Sequence, residues 1–157
     1  MILWEYAEDV SVEIDSMDLI RVLDRLLDDN KRAGSIGVIL TDDGHIHRLN
    51  NAYRQIDRPT DVLSFELDDD TDPTDDLIGE VYISVETAGR QASKADRPLQ
   101  VEIAHLAIHG TLHLLGFEHD SDTGYKKMRA QEDRYLGLLA HNAIPSSREM
   151  SETPEGV

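Results

Sequence analysis

Cysteine is absent from the whole sequence, which excludes disulfides, thiolate zinc sites, iron–sulfur clusters and a cysteine nucleophile. Any transition metal must therefore be held by His, Asp or Glu. A run of about 18 apolar residues, the least a membrane-spanning helix needs, is also missing. Met1-Ile2-Leu3-Trp4-Glu5-Tyr6 carries no basic leader, so the chain reads as soluble and cytoplasmic, with no membrane partner. Positive charge is scarce: 15 Lys and Arg stand against 32 Asp and Glu, a formal net charge of −17. That balance argues against a module that coats nucleic acid, because nonspecific affinity comes from cations neutralising phosphates. No Lys or Arg falls between Pro59 and Gly89, where acids are dense. The cations gather instead as Arg48, Arg54 and Arg58, as Arg90, Lys94 and Arg97, and as Lys126, Lys127, Arg129 and Arg134. Taken alone, each group reads as a solvated surface.

At 157 residues the chain can bury one core without covalent staples. One domain is expected over residues 1–141, followed by a disordered tail over 142–157 that has no periodicity. Alternation predicts strands over Ile2–Val12, Ser35–Leu40, Asp61–Leu67 and Ile78–Val85. Helical spacing predicts a first helix from Ser16 to Arg32 stopped by Gly34, and a second capped by Thr41. The second helix would bury Ile46, Leu49 and Tyr53 and leave Asn50, Asn51 and Arg54 at its end. Asp68–Asp76 has no bulky apolar side chain and reads as a solvated loop. A third helix is expected over Glu86–Ala95. Pro98 would then open a central helix that is apolar nearly all round through Leu99, Ile103, Leu106, Ile108, Leu112 and Leu115. A last helix, Ser121–His141, would pack Tyr125, Met128, Tyr135, Leu138 and Leu139. The class is α+β: about four strands packed with about five helices, and a buried central helix that carries the chemistry.

That helix ends in His109-Gly110-Thr111-Leu112-His113-Leu114-Leu115-Gly116-Phe117-Glu118-His119. His109 and His113 lie one turn apart on one face. Gly116 can take the left-handed conformation that ends a helix and so return His119 toward them. Three nitrogens then hold one zinc ion and leave a fourth position for water, the pattern of a catalytic site. The spacing is that of the long zinc-protease motif, whose second residue is a glutamate base. Here that residue is Gly110, which cannot accept a proton, so hydrolysis is expected on a substrate other than a peptide. His105 lies a further turn back, but each four-residue step drifts by about 40° and three successive turns clamp an ion poorly; it reads as a supporting residue. Glu102 reads as an ordinary helix residue or as a hydrogen-bond partner for a ligand histidine. Glu118 and Asp120 flank His119 and leave open which is a base, an orienting group or a helix cap. Met128 reads as core.

The run HGTLHLLGFEHD, together with LNNAYRQIDRPTDVLSF from Leu49 to Phe65 and GEVYIS from Gly79, resembles the YbeY endoribonuclease family of bacterial ribosomal RNA maturation factors. The resemblance spans roughly Asp42 to Glu132. It implies a zincin-like fold, a zinc held by His109, His113 and His119, and cleavage of single-stranded RNA. It also implies work on the 3′ end of small-subunit ribosomal RNA and in ribosome quality control, with that RNA and the small ribosomal subunit as partners. At the position of Arg54 the family places an arginine near the metal, on the substrate phosphate. Glu118 stands where the family usually has aspartate. The strong negative charge favours either a non-catalytic role in ribosome assembly or a protein partner that delivers the RNA. Two other readings remain: a metallopeptidase-like hydrolase with an unusual base, and a non-catalytic ribosome-assembly factor with a structural zinc. Water and a ribose 2′-hydroxyl both remain candidate nucleophiles.

Overall fold

The structure, a computed structural model, describes residues 1–8, 10–67 and 76–143, with side chains as far as residue 139. Four strands, β1 (Ile2–Tyr6), β2 (Ser35–Thr41), β3 (Val62–Glu66) and β4 (Leu77–Ser84), form one mixed sheet in the order β1-β2-β4-β3. β1, β2 and β4 run parallel, and β3 is an antiparallel edge. Among the described residues five helices complete the α+β fold: α1 (Met17–Asp29), α2 (Asp43–Arg54), α3 (Val85–Lys94), α4 (Leu99–Leu114) and α5 (Asp122–Ala143). Among the described residues no helix is long and apolar enough to cross a membrane. The acidic stretch 68–75 and the tail 144–157 lie outside the described residues. Asp76, the last acid of that stretch, is held: its carbonyl accepts from Ser35 N at 2.8 Å.

α4 sits at the centre, against β3 and β4 and flanked by α1, α3 and α5. Its contact with the sheet needs two glycines. A Cβ on Gly110 would lie 2.6 Å from Val81 Cγ1, and one on Gly79 would lie 2.7 Å from the Phe65 carbonyl and 2.8 Å from Leu114 Cδ2. Backbone thus approaches strand where a side chain would push them apart. Ser64 Oγ donates to the Gly110 carbonyl at 2.9 Å and pins the helix to the edge strand. Ile103, Ala104, Ala107, Ile108 and Leu112 fill the core with Leu23, Leu26, Val38, Ile83 and Met128.

Several element limits differ from the sequence expectation, each for a local reason. β1 ends at Tyr6 because Ala7 N, donating to Leu40 O, is the last rung beside a neighbour that stops at Thr41. α1 ends at Asp29, where the Asn30 amide side chain donates to Leu26 O and Lys31 takes φ +54°. Gly34 (φ +111°) leads into β2 and is not the helix stop. Thr41 belongs to β2; the cap of α2 is Asp42, whose side chain accepts from His45 N at 2.8 Å. Within α2 the buried place expected for Tyr53 belongs to Asn50, whose side chain donates to Arg58 O at 2.9 Å. Tyr53 is 65% exposed and meets Phe65 edge-on. Val85 begins α3, since Ser84, the last residue of β4, also caps it through a hydroxyl that accepts from Thr87 N at 3.2 Å. Pro98 occupies the cap position of α4, one residue earlier than expected. Ser121, not Asp120, caps α5: its hydroxyl accepts from Gly124 N at 3.0 Å. Tyr125 lies 51% exposed on α5 and outside the core.

The start of α2 is tied to the β4–α3 junction through one carboxylate. Asp43 accepts from Ser84 Oγ and Thr87 Oγ1, each at 2.6 Å, and from Arg90 Nη2 at 2.8 Å. Burial acts to raise the Asp43 pKa, but the hydrogen bonds from Ser84, Thr87 and Arg90 outweigh it and the net shift is downward. A depressed carboxylate contributes stability above its unfolded pKa of ~3.9, and the contribution disappears as pH falls through the folded value. Asp43→Asn is expected to cost about 1–3 kcal/mol at neutral pH. The deficit relative to wild type should shrink in acid below the ordinary carboxylate range. Denaturant melts of both proteins at several pH values test this; a deficit that is constant with pH would reject the charge-based role.

Candidate metal centre

The end of α4 supplies the site through its backbone geometry. Phe117 N donates to Leu112 O at 3.0 Å and Gly116 N to His113 O at 3.1 Å, while Gly116 has φ +97°. This is the Schellman termination, in which a left-handed residue reverses the chain. It brings His119 back over the helix. Ring centroids of His109, His113 and His119 lie 4.8, 5.1 and 5.5 Å apart, and a ligand nitrogen of each lies within 4.8 Å of the others. His109 and His113 are partly buried and His119 is exposed. The three therefore form a group that could hold a metal ion, open to solvent on one side. Burial, and the charge of His109 and His119 after it, lowers the pKa of His113. That favours the neutral imidazole a cation needs.

The residue that orients this group is Glu132, on the buried face of α5. Its Oε2 bonds His109 Nδ1 and its Oε1 bonds His105 Nε2 at 3.4 Å. A carboxylate only accepts, so His109 carries its proton on Nδ1 and keeps the Nε2 lone pair for a cation. Burial raises the Glu132 pKa, but the hydrogen bonds from His105 and His109 prevail and hold it at about 2. The bond to Glu132 raises the His105 pKa against the opposing effect of burial. His105 is thus brought beside the group as a partner of Glu132. Sequence reasoning missed Glu132, although its spacing from Met128 and Tyr135 puts it on one face with two buried residues. Glu102 hydrogen-bonds Arg97, at 2.5 Å, and not a ligand histidine; it is buried and acts on His105 only through its charge. Met128 is buried core, as expected.

Arg54 reaches the same site from the other face of the sheet. It is the last residue of α2, its guanidinium lies 5.5 Å over the Phe65 ring, and Nη2 donates to Ser64 O at 2.7 Å. With Ser64, Glu118 and the three histidines it lines a cavity of about 420 Å³. Asp120 does not line it. Leu67 N donates to Ile78 O and Ser84 N to Asp61 O. Odd-numbered residues of β3 therefore pair with β4, and the backbone groups of Val62 and Ser64 face outward. On that edge the Ser64 carbonyl is taken by Arg54 and Val62 N by the Asp61 carboxylate at 2.8 Å. The place of the protease glutamate is closed as well, because position 110 is pressed on Val81, Ser64 and Val62.

A family model described as endoribonuclease YbeY matches residues 6–140. The endoribonuclease YbeY of Carboxydothermus hydrogenoformans is 43% identical over 113 residues, covering 72% of this chain and 78% of that protein. That of Desulforamulus reducens is 35% identical over 143 residues, covering 86% and 94%. The solution structure of TM1509 from Thermotoga maritima is similar with a TM-score of 0.66 at 27% identity, covering 91% of each chain.

Glu132→Gln is expected to weaken metal binding about 10–100-fold, because an amide neither fixes the His109 tautomer nor raises its basicity as a carboxylate does. Competition against a fluorescent chelator measures it, and unchanged affinity would dismiss the orienting role. Gly110→Glu, which restores the protease pattern, should lower stability by at least about 1–3 kcal/mol through overpacking and yield no peptidase. Calorimetry and a peptide-library digest are the checks.

Proposed function

The chain belongs to the endoribonuclease YbeY family, and from that premise we propose that it is a zinc-dependent endoribonuclease specific for single-stranded RNA. In this reading it is cytoplasmic and matures the 3′ end of small-subunit ribosomal RNA, taking part in ribosome quality control. Its fold is zincin-like, and residues 1–141 form the working domain. The observation that carries the reading is one cavity lined by both the three histidines and Arg54.

His109, His113 and His119 hold one zinc; their all-nitrogen donor set, with His109 presenting Nε2, fits that ion. Zinc bound there lowers the pKa of a water to ~7 and polarises a phosphoryl oxygen. Arg54 spends one N–H on Ser64 O and keeps others for the phosphate, where its planar fork stabilises the charge that develops on oxygen. Ser64, fixed to Gly110, keeps that wall of the cavity rigid. Two features stand against the peptidase reading: position 110 has no room for the base, and the β3 edge that an added peptide strand would need is partly occupied by side chains. The net charge of −17 opposes free RNA binding, which supports the small ribosomal subunit and a protein partner as the means of delivery.

His113→Ala is expected to lose bound zinc and RNA cleavage while keeping a cooperative melt. Metal analysis and a single-stranded RNA assay decide it, and cleavage by the metal-free variant would reject the mechanism. Arg54→Lys should lower kcat about 10²–10³-fold with zinc content unchanged. A variant of normal kcat would remove Arg54 from the chemistry.

A further inference from the structure

The histidine group stands between two cavities. The first holds Arg54; the second, of about 510 Å³, opens between α4 and α5 and shares His109 and His119 with it. That volume lies in the range of small-ligand sites, ~300–1,000 Å³. Resting on the nuclease reading above, we propose that this second cavity is a base-binding subsite. In it the base of a nucleotide beside the scissile phosphate stacks on Tyr125, over a floor of Met128 and Leu136.

Three observations point there. Tyr125 is an aromatic side chain left 51% exposed, although the same helix buries Met128 and Tyr135. Its hydroxyl accepts from Arg129 Nη1 at 3.2 Å, so the ring is tethered at the mouth of the cavity. The charged groups of the lining are already paired with one another or with a neighbour, Glu132 with His105 and His109, Asp133 with Arg129 and Arg97 with Glu102, which suits a neutral group better than a phosphate. The guanidinium of Arg54 is what holds the backbone phosphate in the other cavity, while every base has a π-face that an aromatic ring can stack on. The shared wall of His109 and His119 sets the base next to the bond that is cut.

The test uses zinc-loaded protein, with Tyr125→Ala and Tyr125→Phe beside wild type. Because Tyr125 is exposed, both variants should melt as wild type does. Saturation-transfer NMR with adenosine 5′-monophosphate is expected to show contact with the base protons in wild type and Tyr125→Phe, and none in Tyr125→Ala. With a short single-stranded RNA, Tyr125→Ala should raise KM about ten-fold or more and leave kcat within about two-fold. An abasic residue beside the cleaved bond should remove the difference between Tyr125→Ala and wild type. Equal base contact and equal KM in Tyr125→Ala would overturn the subsite. A wild-type enzyme that cuts no RNA would reject the nuclease reading instead, and the mononucleotide arm would still decide whether Tyr125 binds a base.

Discussion

The contact on which the site depends is the one at Gly110, where the bare backbone of α4 rests on the strand side chains of Val81, Ser64 and Val62. Along a helix each residue is turned about 100° from the last. Once position 110 faces Val81, the directions of His109 and His113 are therefore fixed. Both project past the edge of the sheet toward the returning loop. Leu114, one turn on, fits the space that Gly79 leaves over the strands and holds the same rotation. A helix set by two such contacts has little freedom to roll, and two imidazoles that share an ion need that rigidity.

The second constraint is electrostatic. Glu132 is a buried carboxylate, and a lone buried charge is costly unless hydrogen bonds replace its water. His105 and His109 do so from α4. The same helix α5 is tied at a second point, where the Tyr135 hydroxyl donates to Asp29 at 2.6 Å. Burial and the bond to Asp29 push Tyr135 up to about 12, so it stays a donor at physiological pH. α5 is thus joined to α4 at the site and to α1 behind it.

How much of this the sequence displayed depended on the range of each interaction. The histidines were legible because their relation is local: a four-residue step, then a glycine that reverses the chain. The order of strands and helices was legible for the same reason, through period and punctuation. Glu132 was not, because its partner lies 23 residues away and the pair exists only once α5 has folded back. Asn50 and Tyr53 exchanged their expected places because a turn carbonyl, Arg58 O, could satisfy the amide inside. Phe65 lay outside to receive the ring. Arg54 entered through resemblance to a family; nothing in its own neighbourhood of sequence says that the chain brings it around the sheet edge.

That passage around the edge has a consequence for solubility. β3 is a border strand, and unpaired border backbone is a template on which a second chain can add. Arg54 occupies the Ser64 carbonyl with a charged side chain and so closes part of that border. One guanidinium then both lines the cavity of the three histidines and keeps the sheet from growing into a neighbour. Replacing that side chain would therefore alter the cavity wall and bare the sheet border at one stroke.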